Sequence, residues 1–393
     1  MADRATIAHA AADALDDAAH RGMLPRVLVG FDGFVDSIVH MVRRRRSMTP
    51  EGYERISTIA EFAQRCAAAA GTSTNIERVT LEDRFGGNGP LMAGALAALG
   101  APTTFIGAIG TPSPMGARAG GWAVHPTFAE LASRCARCLP IAEPSHTLCM
   151  EFDDGKLMFN DTANAQAVTW DRLLAVVGLD PLRRMVAESS LIGVVNWSLL
   201  GGVEGIWDGL RTHVFETLVA IDPRPRRVFI DLSDPAKRLD NDIHHAMDLL
   251  RRLEHTTGVR VTLGLNLAEA RRLAQVFNTL TPESPSTLPD AAQTLRGVLD
   301  LDTVVIHPRE GAAGADDSGA AWFDGPLVAR PILSTGAGDH FNAGFALAQS
   351  LGLPLPQCLA SGCAVSGAYV RDGRSPDLPR VGAMLRDMPP PET

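Results

Sequence analysis

Aromatic residues are few. Phe, Trp and Tyr make up 5% of the 393 residues, and Tyr53 and Tyr369 are the only tyrosines. A site that grips a flat ring between aromatic faces has little to build with. Cysteine is also sparse: Cys66, Cys135, Cys138, Cys149, Cys358 and Cys363 in a chain of this length predict reduced thiols in a cytoplasm rather than a disulfide framework. Cys135 and Cys138 have C-x-x-C spacing but no second ligand pair, and the residues around them read as helical, so neither zinc nor a redox pair is expected. No G-x-x-x-x-G-K-[ST] occurs, which excludes a Walker-type nucleotide site. No G-x-G-x-x-G follows the first strand, which speaks against a dinucleotide-dependent oxidoreductase. Positive charge is in deficit. A formal net charge of −9 and a pI near 5.7 exclude general attraction to nucleic acid or anionic lipid, so any anion must be held by a local site. The one basic run, Arg43 to Arg46, reads as a solvated turn or helix end, with a local anion site as the alternative.

Two other absences bound the class. The first 25 residues carry Asp3, Asp16 and Asp17 among alanines, unlike a secretory leader, and predict a short amphipathic helix. Phe85 to Ala117 has no charged residue, yet Pro90, Pro102 and Pro112 interrupt it, so it reads as a buried helix followed by a buried strand rather than a membrane span.

What is present is a globular composition, 46% hydrophobic and 21% charged, long enough for one large core with a small excursion. Short β-branched runs recur between helix-length stretches: Val27–Val29, Thr104–Ile109, Leu191–Val195, Val228–Ile230, Val259–Leu263 and Thr303–Ile306. This alternation predicts a parallel sheet covered on both faces, a three-layer α/β/α architecture. Residues 37 to about 84, and a hairpin signal at 147–159 around Asp153-Asp154-Gly155, fall outside the pattern and predict a small lid. The proline-punctuated stretch Thr279–Pro289 reads as a surface loop.

The sharpest local signal is Leu333-Ser334-Thr335-Gly336-Ala337-Gly338-Asp339-His340-Phe341-Asn342-Ala343-Gly344. A small-residue turn enters an apolar-periodic helix, so backbone amides at the helix N-terminus can cradle an anion. Asp339 at the mouth of a phosphate site needs a task there, and taking a hydroxyl proton is the natural one. The alternative is an Asp that only caps the helix.

Upstream, Val27–Val29 runs into Gly30-Phe31-Asp32-Gly33-Phe34-Val35-Asp36. This puts Asp32 and Asp36 at the carboxyl end of a buried strand, where ligands bind in such sheets and where a carboxylate suits hydroxyl groups. Gly86-Gly87-Asn88 opens an alanine-rich helix, with Asn88 offering donors and an acceptor. Asn266-Leu267-Ala268-Glu269 follows a strand and doubles as a capping box. Asp231 ends the strand Val228–Ile230, and His307-Pro308-Arg309-Glu310-Gly311-Ala312-Ala313-Gly314 follows another.

In this order the motifs resemble the ribokinase-like (PfkB-type) carbohydrate kinases over residues 26–375. The resemblance implies a kinase domain over 26–393 behind an N-terminal helical extension, 1–25, and transfer of a phosphoryl group from Mg²⁺-ATP to a small sugar. It further implies that Gly336, Ala337 and Gly338 form the anion hole and Asp339 is the base. Asp36 or Asp32, with Gly87 and Asn88, would hold the sugar. Asn266, Glu269, Asp231, Gly311 and Gly314 would face the nucleotide, with Glu269 reaching Mg²⁺ through water. Some members build a monovalent-cation site from the stretch that usually opens with Asp-Thr; Leu333-Ser334 stand there, which leaves that cation open. Where many members have an asparagine three residues beyond Asn88, this chain has Leu91. A nucleoside kinase of the same family is the nearest rival, disfavoured by the scarcity of aromatics. A non-catalytic sugar-binding or regulatory protein on this fold is another, disfavoured by Asp339. Pairing of lids implies a possible homodimer.

Overall fold

The computed structural model describes residues 3–112, 121–218 and 224–392; of the uncharged stretch ending at Ala117, residues 113–117 lie outside them. A nine-stranded sheet runs in the order Gly319–Asp324, Gly311–Asp316, Thr303–Ile306, Val259–Leu265, Arg226–Asp231, Leu191–Val195, Val27–Phe31, Thr103–Gly107, Arg137–Pro140. The last seven are mutually parallel, and the first two add as an antiparallel hairpin. Every residue of Val27–Phe31 and Leu191–Val195 is buried, as a central strand covered on both faces requires. Val27 and Val29 face one core while Leu28 faces the other, which is the two-residue alternation of a strand turned to two layers. The result is three-layered α/β/α.

The strand order reverses beside Val27–Phe31. The chain first goes outward to Thr103–Gly107 and Arg137–Pro140, then returns to the other side at Leu191–Val195. Such a switch leaves a crevice at the carboxyl ends of the two diverging strands. The residues that follow them, Asp32 and Asn196, meet there.

A second sheet of five strands stands apart. Gly155–Asp161, Ser145–Phe152, Phe34–Arg45 and Tyr53–Arg55 lie in that order, with Arg78–Gly86 also paired to Phe34–Arg45. It has its own small core of Val39, Met41, Ile56, Met150 and Phe152. The basic run lies at the end of a strand, not at a helix end, and each arginine has a carboxylate: Arg43 with Glu61, Arg44 and Arg46 with Glu54, and Arg45 with Glu77. The region of Cys135 and Cys138 also differs from its helical reading, because helix Ala129–Arg134 stops at Cys135 and Cys138 lies in the edge strand Arg137–Pro140.

Helix Arg4–His20 buries Ala8, Ala11, Ala12 and Leu15 against helices Leu355–Asp372 and Leu378–Arg386. Among the described residues, no helix is long and apolar enough to cross a membrane.

Candidate active site

Asp32 is fully buried, and both of its carboxylate oxygens are engaged by protein donors. Its Oδ2 accepts from the Asn88 amide at 2.9 Å and from Asn196 Nδ2 at 2.7 Å, and its Oδ1 accepts from the Gly89 amide at 2.8 Å. Gly87, at the N-cap of helix Asn88–Ala98 with φ 99°, offers no side chain for capping. The cap is supplied instead by a carboxylate from the neighbouring strand end, where the helix dipole favours negative charge. A Cβ on Gly87 would come within 2.7 Å of Asp32 Oδ2, so the glycine serves the close approach. Burial outweighs the three donors and raises the Asp32 carboxyl to about 6.

Asp36 sits two residues into strand Phe34–Arg45, 5% exposed, in register with Arg84 on one side and Thr147 on the other. Burial raises its carboxyl, opposed by the Thr147 side chain and by Arg84 and Lys156. Its carboxylate occupies the space a Cβ on Gly86 would need.

Asp339 lies in the first turn of helix Ala337–Ser350, which begins after Gly336 in the left-handed region at φ 88°. Asn88 Nδ2 donates to Asp339 Oδ1 at 2.9 Å, so the two N-terminal turns are joined side chain to side chain. The Ala337 amide turns back onto Ser334 O at 3.2 Å, which leaves the Gly338 and Asp339 amides as the first-turn donors without an intrahelical acceptor. Asp339 is buried and its carboxyl is raised well above the ordinary range, first by burial and then by Asp231, against the Asn88 bond.

Asn88 and Asp339 open onto a cleft of about 660 Å³ lined also by Asp231, Asn266, Glu269, His307, Arg309, Gly311 and Gly338; Asp32, Asp36 and Gly87 are not among its lining residues. Asp231 accepts from Asn342 Nδ2 and from the Ser233 amide, each at 2.7 Å, and burial raises it to about 6. Glu269 forms the expected capping box, taking the Asn266 amide at 2.8 Å and Nδ2 at 2.7 Å, and it also lines the cleft. Burial, then the nearby Asp231, raises its carboxyl well above normal. Capping and cleft roles therefore coincide in one side chain. The loop after Ile306 is shorter than the sequence reading had it: Gly311 begins the antiparallel strand Gly311–Asp316 and lines the cleft, whereas Gly314 faces Leu355 and Leu359 beneath it.

Among the described residues, no three His, Cys, Asp or Glu side chains are grouped to hold a metal ion by themselves. The donor set still fits a hydrated divalent cation. Asp231, Glu269 and Asp339 share one cleft, their burial is opposed by hydrogen bonds rather than by a bonded lysine or arginine, and Mg²⁺ keeps most of its waters.

Several side chains here escaped the sequence reading. Asn196 holds a positive φ of 68° and reaches Asp32; its place at a strand's carboxyl end was the available signal. Asn342 lies one turn after Asp339. Lys156, on the second sheet, donates to Thr335 Oγ1 at 2.7 Å, and no local pattern announces a contact between residues so far apart. His307 lines the cleft with its Nε2 buried and unpartnered.

The likeness to known proteins agrees with this arrangement. The chain matches the prokaryotic ketohexokinase family over residues 2–388. It is 30% identical over 363 residues to a ketohexokinase of Haloferax volcanii, covering 91% of this chain and 90% of that one. Arabidopsis thaliana ribokinase, solved with ribose and ATP, superposes with a TM-score of 0.61 at 16% identity, covering 93% of this chain and 99% of that one. A Methanocaldococcus jannaschii nucleoside kinase, an archaeal member of the ribokinase family, superposes at 0.56 and 12% identity, covering 92% and 98%. At such identities the two structures establish the fold and do not separate sugars from nucleosides. On the family match and the extended identity, the chain belongs to the prokaryotic ketohexokinase family, within the ribokinase-like carbohydrate kinases, and is an ATP-dependent sugar kinase.

Proposed function

We propose that the chain transfers the γ-phosphoryl group of Mg²⁺-ATP to a hydroxyl of a ketohexose, with Asp339 as the base. The observation that carries this reading is the bond between Asn88 and Asp339, which sets a raised carboxyl beside the first-turn amide of Gly338 in the cleft. Asp36 is assigned to the sugar in preference to Asp32, whose oxygens are taken by three internal donors. Sugar hydroxyls would replace the solvent that the buried Asp36 carboxylate lacks. The ketohexose follows the name of the Haloferax volcanii relative.

In the reaction the sugar hydroxyl gives its proton to the Asp339 carboxylate as its oxygen bonds to the γ-phosphorus. The bond from that phosphorus to the bridging oxygen breaks, and ADP leaves. The Gly338 and Asp339 amides meet the charge on the transferring group, with Gly336 shaping the turn. When bound, Mg²⁺ neutralises the nucleotide oxygens; Glu269 and Asp231 would hold it through water. Asn266 and Gly311 face the nucleotide. The second sheet is assigned as a lid that excludes water. Its edge strand Gly155–Asp161 exposes Met158 and Phe159, a surface suited to pairing with a second copy. A cytoplasmic location accords with the reduced cysteines.

The test is ADP release with Mg²⁺-ATP across ketohexoses, aldoses and nucleosides, run beside Asp339→Asn. A ketohexose-dependent rate that falls by about 10³-fold or more in the variant is expected. Near-normal turnover in the variant would remove Asp339 from the chemistry, and preference for a nucleoside would overturn the substrate class.

A further inference from the structure

The turn ahead of Asp339 is held from outside by side chains that the reaction itself does not use. Tyr369 Oη donates to the Thr335 carbonyl at 2.7 Å, and His340 Nδ1 lies 2.7 Å from the Gly336 carbonyl. A carbonyl oxygen only accepts, so Nδ1 carries the His340 proton; Nε2 is then the acceptor for Ser375 Oγ at 2.9 Å. The imidazole and phenol rings stack with centroids 3.6 Å apart and planes 15° from parallel. Burial lowers His340 to about 4 and raises Tyr369 to about 12, so both stay neutral across the intervening range. The approach to the turn is tied to the same helix end, since the Ile332 amide donates to Val370 O at 2.8 Å.

The consequence lies in the peptide planes. A carbonyl and the amide of the next residue share one rigid plane. Fixing the Thr335 and Gly336 carbonyls therefore fixes the planes that carry the Gly336 and Ala337 amides, and with them the left-handed Gly336 from which the helix of Asp339 starts. Carbonyls exposed in this way at a turn need a donor or a cation. Here both already have donors from the protein. Leu333, where a carboxylate stands in family members that bind a monovalent cation from this stretch, offers no ligand atom on its side chain. Ser375 Oγ is engaged by His340. The residues present do not fit a monovalent cation.

We propose that His340, Tyr369 and Ser375 form a positioning clamp that presets the anion turn, and that the clamp takes the place of a monovalent cation, so that turnover requires none. The proposal rests on the reading of this turn as the phosphoryl site.

The experiment compares wild type, Tyr369→Phe, His340→Leu, His340→Asn and Asp339→Asn in potassium, sodium and tetramethylammonium chloride at equal ionic strength, with Mg²⁺-ATP and ketohexose. Wild-type turnover is expected to be the same in all three salts. Tyr369→Phe and His340→Leu are expected to lose about ten-fold or more in kcat with sugar KM nearly unchanged. His340→Asn, which keeps a donor near the Nδ1 position, should stay within about three-fold of wild type. Melting curves of wild type in the same salts give a readout independent of turnover, because a bound cation stabilises the fold. Potassium activation of wild type, or a melting temperature several degrees higher in potassium than in tetramethylammonium, would overturn the inference. So would full kcat in both Tyr369→Phe, which keeps the ring and its stacking, and His340→Leu. Full activity in Asp339→Asn would instead defeat the underlying assignment of the site.

Discussion

The two sheets treat charge in opposite ways. In the second sheet, charge is wet and paired: Glu54 takes both Arg44 and Arg46, and neighbouring arginines take Glu61 and Glu77. In the cleft it is dry and unpaired by cations: Asp231, Glu269 and Asp339 lie together, with the buried Asp32 near enough to raise Asp339 further, and only hydrogen bonds oppose their burial and mutual repulsion. A protein arranged for stability alone would do the reverse, since buried charge is costly without a partner and exposed pairs contribute little. On the proposed reading, Mg²⁺, nucleotide and sugar would supply the missing partners.

The two arrangements also respond to pH with opposite sign. A carboxyl raised on folding binds its proton more tightly in the folded chain, so stability falls as pH climbs from the ordinary carboxylate value to the raised one. For Asp231 that window runs from about 4 to about 6, and above it the carboxylate costs roughly 3 kcal/mol on its own. Glu54 is lowered to about 2 by its arginines, so its contribution is present above the ordinary glutamate value and is lost as pH falls toward 2.

The sharpest way to break the contrast is Asp339→Asn, which should cost the most activity and yet melt a few degrees higher than wild type at pH 8 without ligands. The gap should close as pH falls below the ordinary aspartate value; a variant less stable than wild type at pH 8 would refute the unpaired-charge account. Glu269→Gln is expected to raise the Mg²⁺ and ATP concentrations for half-maximal rate by about ten-fold, with sugar KM unchanged. A titration that moves sugar KM instead would place Glu269 on the wrong side of the cleft. Lys156, on the second sheet, reaches the turn ahead of Asp339. Lys156→Met should lower kcat/KM for the sugar by a further, smaller factor, about five- to ten-fold, and an unchanged value would mean that the two sheets do not communicate there. Smallest of all, Glu54→Gln should leave turnover intact and shift the melting temperature at pH 7 by no more than about 2 °C.

How much of this could be read from the chain depends on how locally each feature is determined. The six β-branched runs predicted as strands are strands, because burial on both faces writes itself into consecutive residues. Arg137–Pro140 escaped because an edge strand needs no such run, and Gly311–Asp316 because glycine and alanine there serve close packing rather than strand propensity. The turn before Asp339 is contiguous in sequence and was legible. Asn342 and Lys156 reach their partners only through the folded topology, and nothing beside them in the chain marks them; Asn196 carried only the signal of a strand's carboxyl end. That Asp32 caps a helix was likewise invisible until the helix was in place.

The bond from Asn88 to Asp339 spans 251 positions of the chain. On the proposed reading, activity waits on the last part of the chain to be made: the first 330 residues contain Asp36 and all nine strands of the central sheet, but neither Asp339 nor the turn before it. Activity would then arrive late, once both the helix of Asp339 and the following helix that carries Tyr369 have emerged.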